Sequence, residues 1–170
     1  MKYGSLLLIC IFFLFSFLTF SCKKKEVYSN VPAIKFVSFN KISNGTTIDN
    51  KGLFRISFTD GDGNIGLSDQ DTFPPFNLGS QWYYNFFINY YEKRNGILTK
   101  IDLPFTLNAR IPTIVGSGPN KPTNGEIEIE LYINNPNSTF DTIVFEGSIC
   151  DRDRQLSNVV RSGEIIIKKQ

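Results

Sequence analysis

A short acidic loop, TDGDGNIGLSDQD (residues 59–71), concentrates side chains that can bind a metal ion. Asp60, Asp62 and Asn64 alternate with other residues, mainly glycine, so their oxygens can converge on one cation while the glycines let the backbone curl around it. Hard oxygen donors of this kind suit calcium. Without a cation, carboxylates held this close repel one another and raise a pKa. The sequence therefore predicts a calcium loop that is completed by Asp69 or Asp71.

The spacing of these oxygens also resembles that of an EF-hand loop counted from Asp60. The sixth position is Ile65 rather than glycine, however, the twelfth is Asp71 rather than glutamate, and the flanking residues do not form helical patterns. A calcium site in a loop between strands agrees better with these residues. Two other interpretations are a solvated turn, in which the side chains bond their own backbone, and an acid and base pair formed by Asp60 and Asp62.

A second polar cluster, CDRDRQLSN (residues 150–158), lies near the C-terminus. Asp151 and Asp153 can ligate the same ion if this segment lies at the same end of the domain as the acidic loop. The alternative is that they form ion pairs with Arg152, Arg154 or Arg161. The sequence therefore predicts a conditional second group of metal ligands.

These side chains must be positioned by strands, because apolar residues recur at every second position along the chain. In GEIEIELYI, the residues Ile127, Ile129, Leu131 and Ile133 share one face and the glutamates share the other. Asn95-Gly96 predicts a hairpin turn. We predict an all-β domain, a single immunoglobulin-like antiparallel β-sandwich of about seven strands, with a partly closed barrel as the alternative. The predicted strands are 33–42, 52–59, 82–93, 97–103, 126–133, 142–150 and 158–168.

The third predicted strand is unusually rich in aromatic residues. Its alternation places Trp82, Tyr84, Phe86, Ile88 and Tyr90 on the core face. The opposite face carries Tyr83, Phe87 and Tyr91, which could form a stacking surface for a glycan or an envelope protein. The alternative is a central strand that is covered on both faces.

The N-terminus has the features of a secretory signal that ends at a cysteine. An apolar run of 15 residues, shorter than the roughly 20 of a spanning helix, is followed by SCKKKE. Thr19-Phe20-Ser21-Cys22 resembles the box that lipoprotein signal peptidase cleaves, and this resemblance implies acylation of Cys22. We therefore expect a signal peptide (1–21), a lipidated cysteine with its tether (22–31) and the β-sandwich (32–170). The expected partner of the N-terminus is a membrane.

Composition excludes several classes of function. The formal net charge is +2, but the four lysines and one glutamate before the domain contribute +3, so the domain itself has a balance of −1 and lacks the basic face of a nucleic-acid-binding protein. The chain has no histidine, the usual general base and the usual partner of a catalytic cysteine. We therefore predict a protein that is not an enzyme.

Several segments together resemble a group of uncharacterised Bacteroidetes lipoproteins with a DGDGxIG loop. They are FTDGDGNIG, WYYNFFINYYEKRNG, ARIPTIV with the glycine-rich segment after it, GEIEIEL and DTIVFEGSICDRDRQLSNVV. The last segment also resembles the final strands of bacterial immunoglobulin-like domains, with matches at Asp151, Ser157 and Asn158. Asp141-Thr142-Ile143 resembles an O-glycosylation site of exported proteins in the same bacteria, which would modify Thr142.

The resemblance implies an immunoglobulin-like fold and a place on the cell envelope, most simply the outer membrane, and it implies no activity. The sequence thus predicts a calcium-binding envelope lipoprotein with a structural or binding role. The alternative function is a glycan-binding accessory lipoprotein of a polysaccharide-uptake system.

Overall fold

Strict alternation in β2 (Lys51–Asp60) builds one wall of the protein core, because every second side chain of this strand is buried. The computed structural model describes residues 27–114 and 121–169. It is a sandwich of two antiparallel sheets, as predicted. The other strands are β1 (Ala33–Ile42), β3 (Phe86–Arg94), β4 (Ile97–Lys100), β5 (Thr123–Tyr132), β6 (Thr142–Ile149), β7 (Val160–Arg161) and β8 (Ile165–Ile166).

The first sheet has the order β1-β2-β5. β2 pairs along its whole length with β5, and a bulge near Val37 interrupts its pairing with β1. On the outer face, the basic residues of β2 lie beside the glutamates of β5, and Arg55 Nη2 is 2.6 Å from Glu128 Oε2. Such exposed cross-strand pairs contribute little stability each, but they fix which strands are neighbours and in which register.

The second sheet has the order β4-β3-β6-β7, with β8 also paired to β6. The register between β6 and the last part of the chain shifts by one residue between β7 and β8. Gly163 lies in this interval with a φ of 70°, a conformation that glycine adopts without strain. A β-bulge therefore divides the single predicted strand 158–168 into two short strands, which makes eight strands rather than seven.

The core lies between the two sheets and consists mainly of phenylalanine and isoleucine side chains. Phe54 is fully buried, and its ring contacts those of Phe36, Phe86 and Phe145 at centroid distances of 5.5, 6.2 and 6.4 Å. Gly147 makes room for this cluster, since a Cβ there would lie 3.1 Å from the Phe54 ring. These contacts join the two sheets.

The charged side chain of Glu92 also points into the core. It accepts hydrogen bonds from Ser138 Oγ (2.7 Å), Arg94 Nη2 (2.8 Å) and Asn135 Nδ2 (3.0 Å). Burial alone would raise the pKa of Glu92, but these donors outweigh it and hold the pKa below its usual value. The carboxylate therefore ties the end of β3 to the segment after β5.

Three predicted strand boundaries are wrong by three residues or more, and one of them is the start of β5, which begins at Thr123 rather than at residue 126. The strand predicted over 82–93 begins only at Phe86, because residues 81–85 form turns before it. The strand predicted over 97–103 ends at Lys100. The signal peptide and Cys22 lie outside the described residues, and within 27–114 and 121–169 no helix is long and apolar enough to cross a membrane.

We use the term acidic end for the end of the sandwich where β2 and β6 finish. The segment before β1 and the loops 61–85 and 150–159 all lie there, since Ala33 pairs with Thr59 and Phe86 pairs with Ile149. The β3–β4 hairpin at Asn95-Gly96 lies at the opposite end. The topology thus gathers both predicted acidic segments at one place.

Candidate metal centre

The first residue of the centre, Asp60, is the last residue of β2. It continues the face formed by Phe54, Ile56 and Phe58, so the pleat turns its carboxylate inward and leaves it fully buried. Its Oδ2 accepts the backbone N–H of Asn64 at 2.8 Å. The strand therefore delivers a carboxylate into the interior and a tight turn closes over it.

Three side-chain oxygens of this turn are buried without a hydrogen-bond donor: Asp60 Oδ1, Asp62 Oδ1 and Asn64 Oδ1. Buried polar atoms are almost always hydrogen-bonded, because an unmet acceptor forfeits its interaction with water. Three such atoms at alternate positions of one loop are oxygens of the kind that a cation coordinates. They belong to the three residues predicted from the sequence.

The second acidic segment lies against this loop. The backbone N–H of Arg152 donates to the carbonyl of Asn64 at 3.3 Å, and Asn64 Nδ2 donates to Asp153 Oδ2 at 2.9 Å. Asp151 is buried beside them, with its Oδ1 accepting the backbone N–H of Gln155 at 2.7 Å. The condition set for Asp151 and Asp153 is therefore met, since both segments lie at the same end of the sandwich.

The carboxylates of Asp60 and Asp151 are buried close to other carboxylates, and the pKa of each is raised. Burial raises the pKa of Asp60 to about 6, and the nearby carboxylates of Asp62 and Asp151 add to the rise. Burial also raises the pKa of Asp151, helped by Asp153 and Asp62. Each of these effects disfavours the ionised form, so a positive charge at this place would stabilise the fold.

Asp71 has a different role from the one predicted. Its two oxygens accept Arg152 Nη1 at 2.9 Å and Nη2 at 2.7 Å, and Oδ2 also accepts the Ser68 backbone N–H at 2.6 Å. The pKa of Asp71 is held below its usual value, because these donors outweigh the effect of burial. Asp69 is exposed in the adjoining turn. The structure thus gives Asp71 an ion pair in place of the predicted metal-ligand role.

Within residues 27–114 and 121–169 there is no ready group of three Asp, Glu or Cys side chains arranged to hold a metal ion. The donor set at the acidic end is of a mixed kind, because one of its three unpartnered oxygens belongs to the amide of Asn64. Two carboxylates and an amide with buried oxygens agree with the ligand types of calcium, which also accepts carbonyl oxygens and water.

The three aromatic residues predicted to form a ligand-binding surface are partly covered. Tyr83 precedes β3 and lies under the guanidinium of Arg110, at 4.9 Å from ring centroid to Cζ. Phe87 and Tyr91 lie on the outer face of β3 and are half-buried. The hydroxyl of Tyr91 donates to Glu146, and Arg161 lies over its ring. Because arginine side chains cover Tyr83 and Tyr91 and Phe87 is half-buried, the three rings do not form an open stacking platform.

Trp82 and Tyr84, predicted on the core face, lie in the turns before the strand and are half-buried. Thr142 starts β6, where its hydroxyl donates to Asp141 Oδ1 at 3.0 Å. Cys150 is buried, and burial raises the pKa of its thiol to about 12, as expected for a structural cysteine.

Sequence reasoning missed the contacts that two arginines make at the acidic end. Arg152 joins the two acidic segments through Asp71, across 81 positions of the chain. Arg110 donates to the carbonyls of Ser68, Asp71 and Tyr83, so it holds the long loop 61–85 together. Each arginine is far along the chain from the residues that it contacts, and no local sequence pattern indicates such contacts.

Comparison with protein-family models, with curated proteins and with solved structures finds no match to this chain.

Proposed function

We propose that this protein is a lipid-anchored β-sandwich of the cell envelope with a non-enzymatic structural or binding role, and that its acidic end is completed by calcium. The observation that supports the metal is the set of three buried oxygens without donors on Asp60, Asp62 and Asn64. A bound cation would be coordinated by these oxygens and would take the place of the hydrogen-bond donors that they lack.

The donor set fits calcium better than a transition metal. Carboxylate and amide oxygens are hard ligands, and the chain contains no histidine. Asp60, Asp62 and Asn64 would hold the ion from one loop, and Asp151 would contribute from the other. When bound, the ion supplies positive charge only, so its effect is to join the two loops and stabilise the fold rather than to take part in a reaction.

We expect calcium to raise the thermal unfolding midpoint of the purified protein above its value in excess EDTA. A ligand present at about 100 times its dissociation constant stabilises a fold by about 2.7 kcal/mol. A domain of this size then unfolds several degrees higher. The measurement is differential scanning calorimetry in EDTA and in millimolar calcium, with magnesium as a comparison. The Asp62→Asn variant should lose most of the calcium response.

The matched control is Asp69→Asn, which removes the same charge from an exposed position of the same loop. It should keep the full calcium response. If the parent shows no calcium response, or if Asp62→Asn responds as strongly as the parent, the loop is a solvated turn and the metal assignment is wrong.

The lipid anchor has a separate test. The Cys22→Ala protein has no sulfur at the acylation position, so we expect it to move from the membrane fraction to the soluble fraction of cells. Immunoblotting of the two fractions measures this. Cys10→Ala, within the part that processing removes, is the control and should fractionate as the parent does. A Cys22→Ala protein that remains with membranes would contradict the anchor.

A further inference from the structure

The path of the N-terminal segment shows which end of the sandwich is nearest to the proposed anchor. The carbonyl of Ser29 accepts the backbone N–H of Gly61 at 2.8 Å, and Tyr28 Oη accepts Asn124 Nδ2 at 2.9 Å. A Cβ at Gly61 would lie 2.5 Å from the carbonyl oxygen of Tyr28, so only glycine permits this close approach. The segment before β1 is therefore fixed against the acidic loop.

The same end carries exposed apolar side chains. Phe73 and Leu78, both in the loop 61–85, are each 77% exposed. Other exposed apolar residues lie in the segment before β1 and in the loop 150–159, namely Val27, Val31, Leu156 and Val159. Exposure of these apolar side chains to water is unfavourable, and contact with an apolar phase would lower the free energy.

The loop that carries Phe73 and Leu78 has a defined shape. Arg110 Nη1 donates to the carbonyl of Tyr83 at 2.7 Å, and its Nη2 donates to the carbonyls of Ser68 and Asp71, both at 3.2 Å. Ser80 Oγ donates to the carbonyl of Pro75 at 2.5 Å. These bonds hold the backbone in place while the two apolar side chains point outward into solvent.

The tether between Cys22 and the domain is short enough to bring Phe73 and Leu78 to a membrane surface. Cys22 and Tyr28 are six residues apart, so the chain between them spans at most about 20 Å. With acyl chains on Cys22, the acidic end is held next to the bilayer surface. Apolar side chains at the level of the headgroups add to the affinity that a lipid anchor provides.

We propose that the acidic end faces the membrane and that Phe73 and Leu78 insert into the bilayer interface. The inference rests on the lipid anchor of the proposed function and goes beyond it by orienting the domain. It places the candidate metal centre on the membrane side and the β3–β4 hairpin on the side away from the membrane. The occupant of the apolar loop is a phospholipid surface rather than a second protein.

The chain provides its own probe, because Trp82 is its only tryptophan and lies in the same loop. The full-length acylated protein, purified in detergent, is reconstituted into phospholipid vesicles with or without brominated acyl chains, which quench tryptophan on contact. Mass spectrometry of the N-terminal peptide establishes acylation beforehand. We expect bromination to remove most of the Trp82 fluorescence of the parent protein.

The Phe73→Ser/Leu78→Ser variant should keep most of its fluorescence in brominated vesicles. Its matched control is Ile97→Ser/Ile166→Ser, which changes two apolar residues of similar exposure, 70% and 68%, at the opposite end of the sandwich. This control should be quenched as the parent is, and calorimetry should show that both variants fold.

Three results would overturn the orientation. One is an acylated parent whose Trp82 is not quenched, and another is equal quenching of the parent and the Phe73→Ser/Leu78→Ser variant. The third is a parent protein that is a dimer in detergent and a Phe73→Ser/Leu78→Ser variant that is a monomer, which would make a second copy the occupant. Protein that carries no acyl chain would instead refute the anchor itself, so failure of the proposed function is recognised separately.

Discussion

Replacement of Phe54 by alanine is expected to lower the free energy of unfolding by about 3–5 kcal/mol, since it removes a buried ring and leaves a cavity. Phe54 is fully buried and contacts aromatic rings from both sheets. In a domain of this size, a loss of that magnitude lowers the unfolding midpoint by about 10 °C or more. Urea denaturation at constant calcium gives the free energy, and calorimetry gives the midpoint.

The matched variant is Phe54→Leu, which keeps an apolar side chain at the same place. It should be more stable than Phe54→Ala, because less volume is lost and the neighbouring rings can close around it. Phe73→Ala, which removes a ring that is 77% exposed, should change stability little. If Phe54→Ala costs no more than Phe73→Ala, the two sheets do not pack around Phe54 as the structure shows.

The position of Phe54 in the core could be predicted from the sequence, as could most of the sandwich. Alternation in β2 and β5 fixes which side chains face inward, because a slip of one residue would turn every apolar side chain outward. The bounds of β1, Ala33–Ile42, agree with the prediction, and those of β6 differ by one residue. Period and turn residues are local signals, so a single sequence carries them.

The errors occur where distant contacts decide the structure. The aromatic run from Trp82 continues the alternation of β3, but pairing begins only at Phe86, which bonds to Ala109 and pairs with Ile149. The carbonyl of Tyr83 instead accepts a hydrogen bond from Arg110 Nη1. A strand ends where its partners end, and the partners lie more than 20 residues away in the chain.

The same distinction applies to the candidate metal centre. Alternation of Asp60, Asp62 and Asn64 is local, and the structure leaves one oxygen of each without a donor. Asp71 fitted the spacing equally well, but Arg152 pairs with it from another loop. Asp151, by contrast, joins the cluster only because β2 and β6 end together. Spacing thus predicts which side chains can converge, and topology decides which of them do.

The effect of Asp60→Asn on stability is expected to change sign between the metal-free protein and the protein with calcium bound. Without metal, burial raises the pKa of Asp60 to about 6 from a usual value of 3.8. The folded state then binds a proton more tightly than the unfolded state between these values, so ionisation of Asp60 costs stability as pH rises from about 4 to about 6. Asparagine carries no charge at this position, so the variant removes this cost.

In EDTA, Asp60→Asn should therefore unfold at about the same temperature as the parent near pH 4, and at a higher temperature than the parent near pH 7.5. In calcium near pH 7.5 the order should be inverted, because the parent gains the bound ion and the variant has lost one of its ligands. Calorimetry at both pH values, with EDTA or calcium, measures all four conditions, and Asp69→Asn should follow the parent in each.

If Asp60→Asn is destabilised equally with and without calcium, then the buried carboxylate stabilises the turn and does not bind a metal ion. A reversal would show that a charge unfavourable to the metal-free fold becomes favourable once a cation binds.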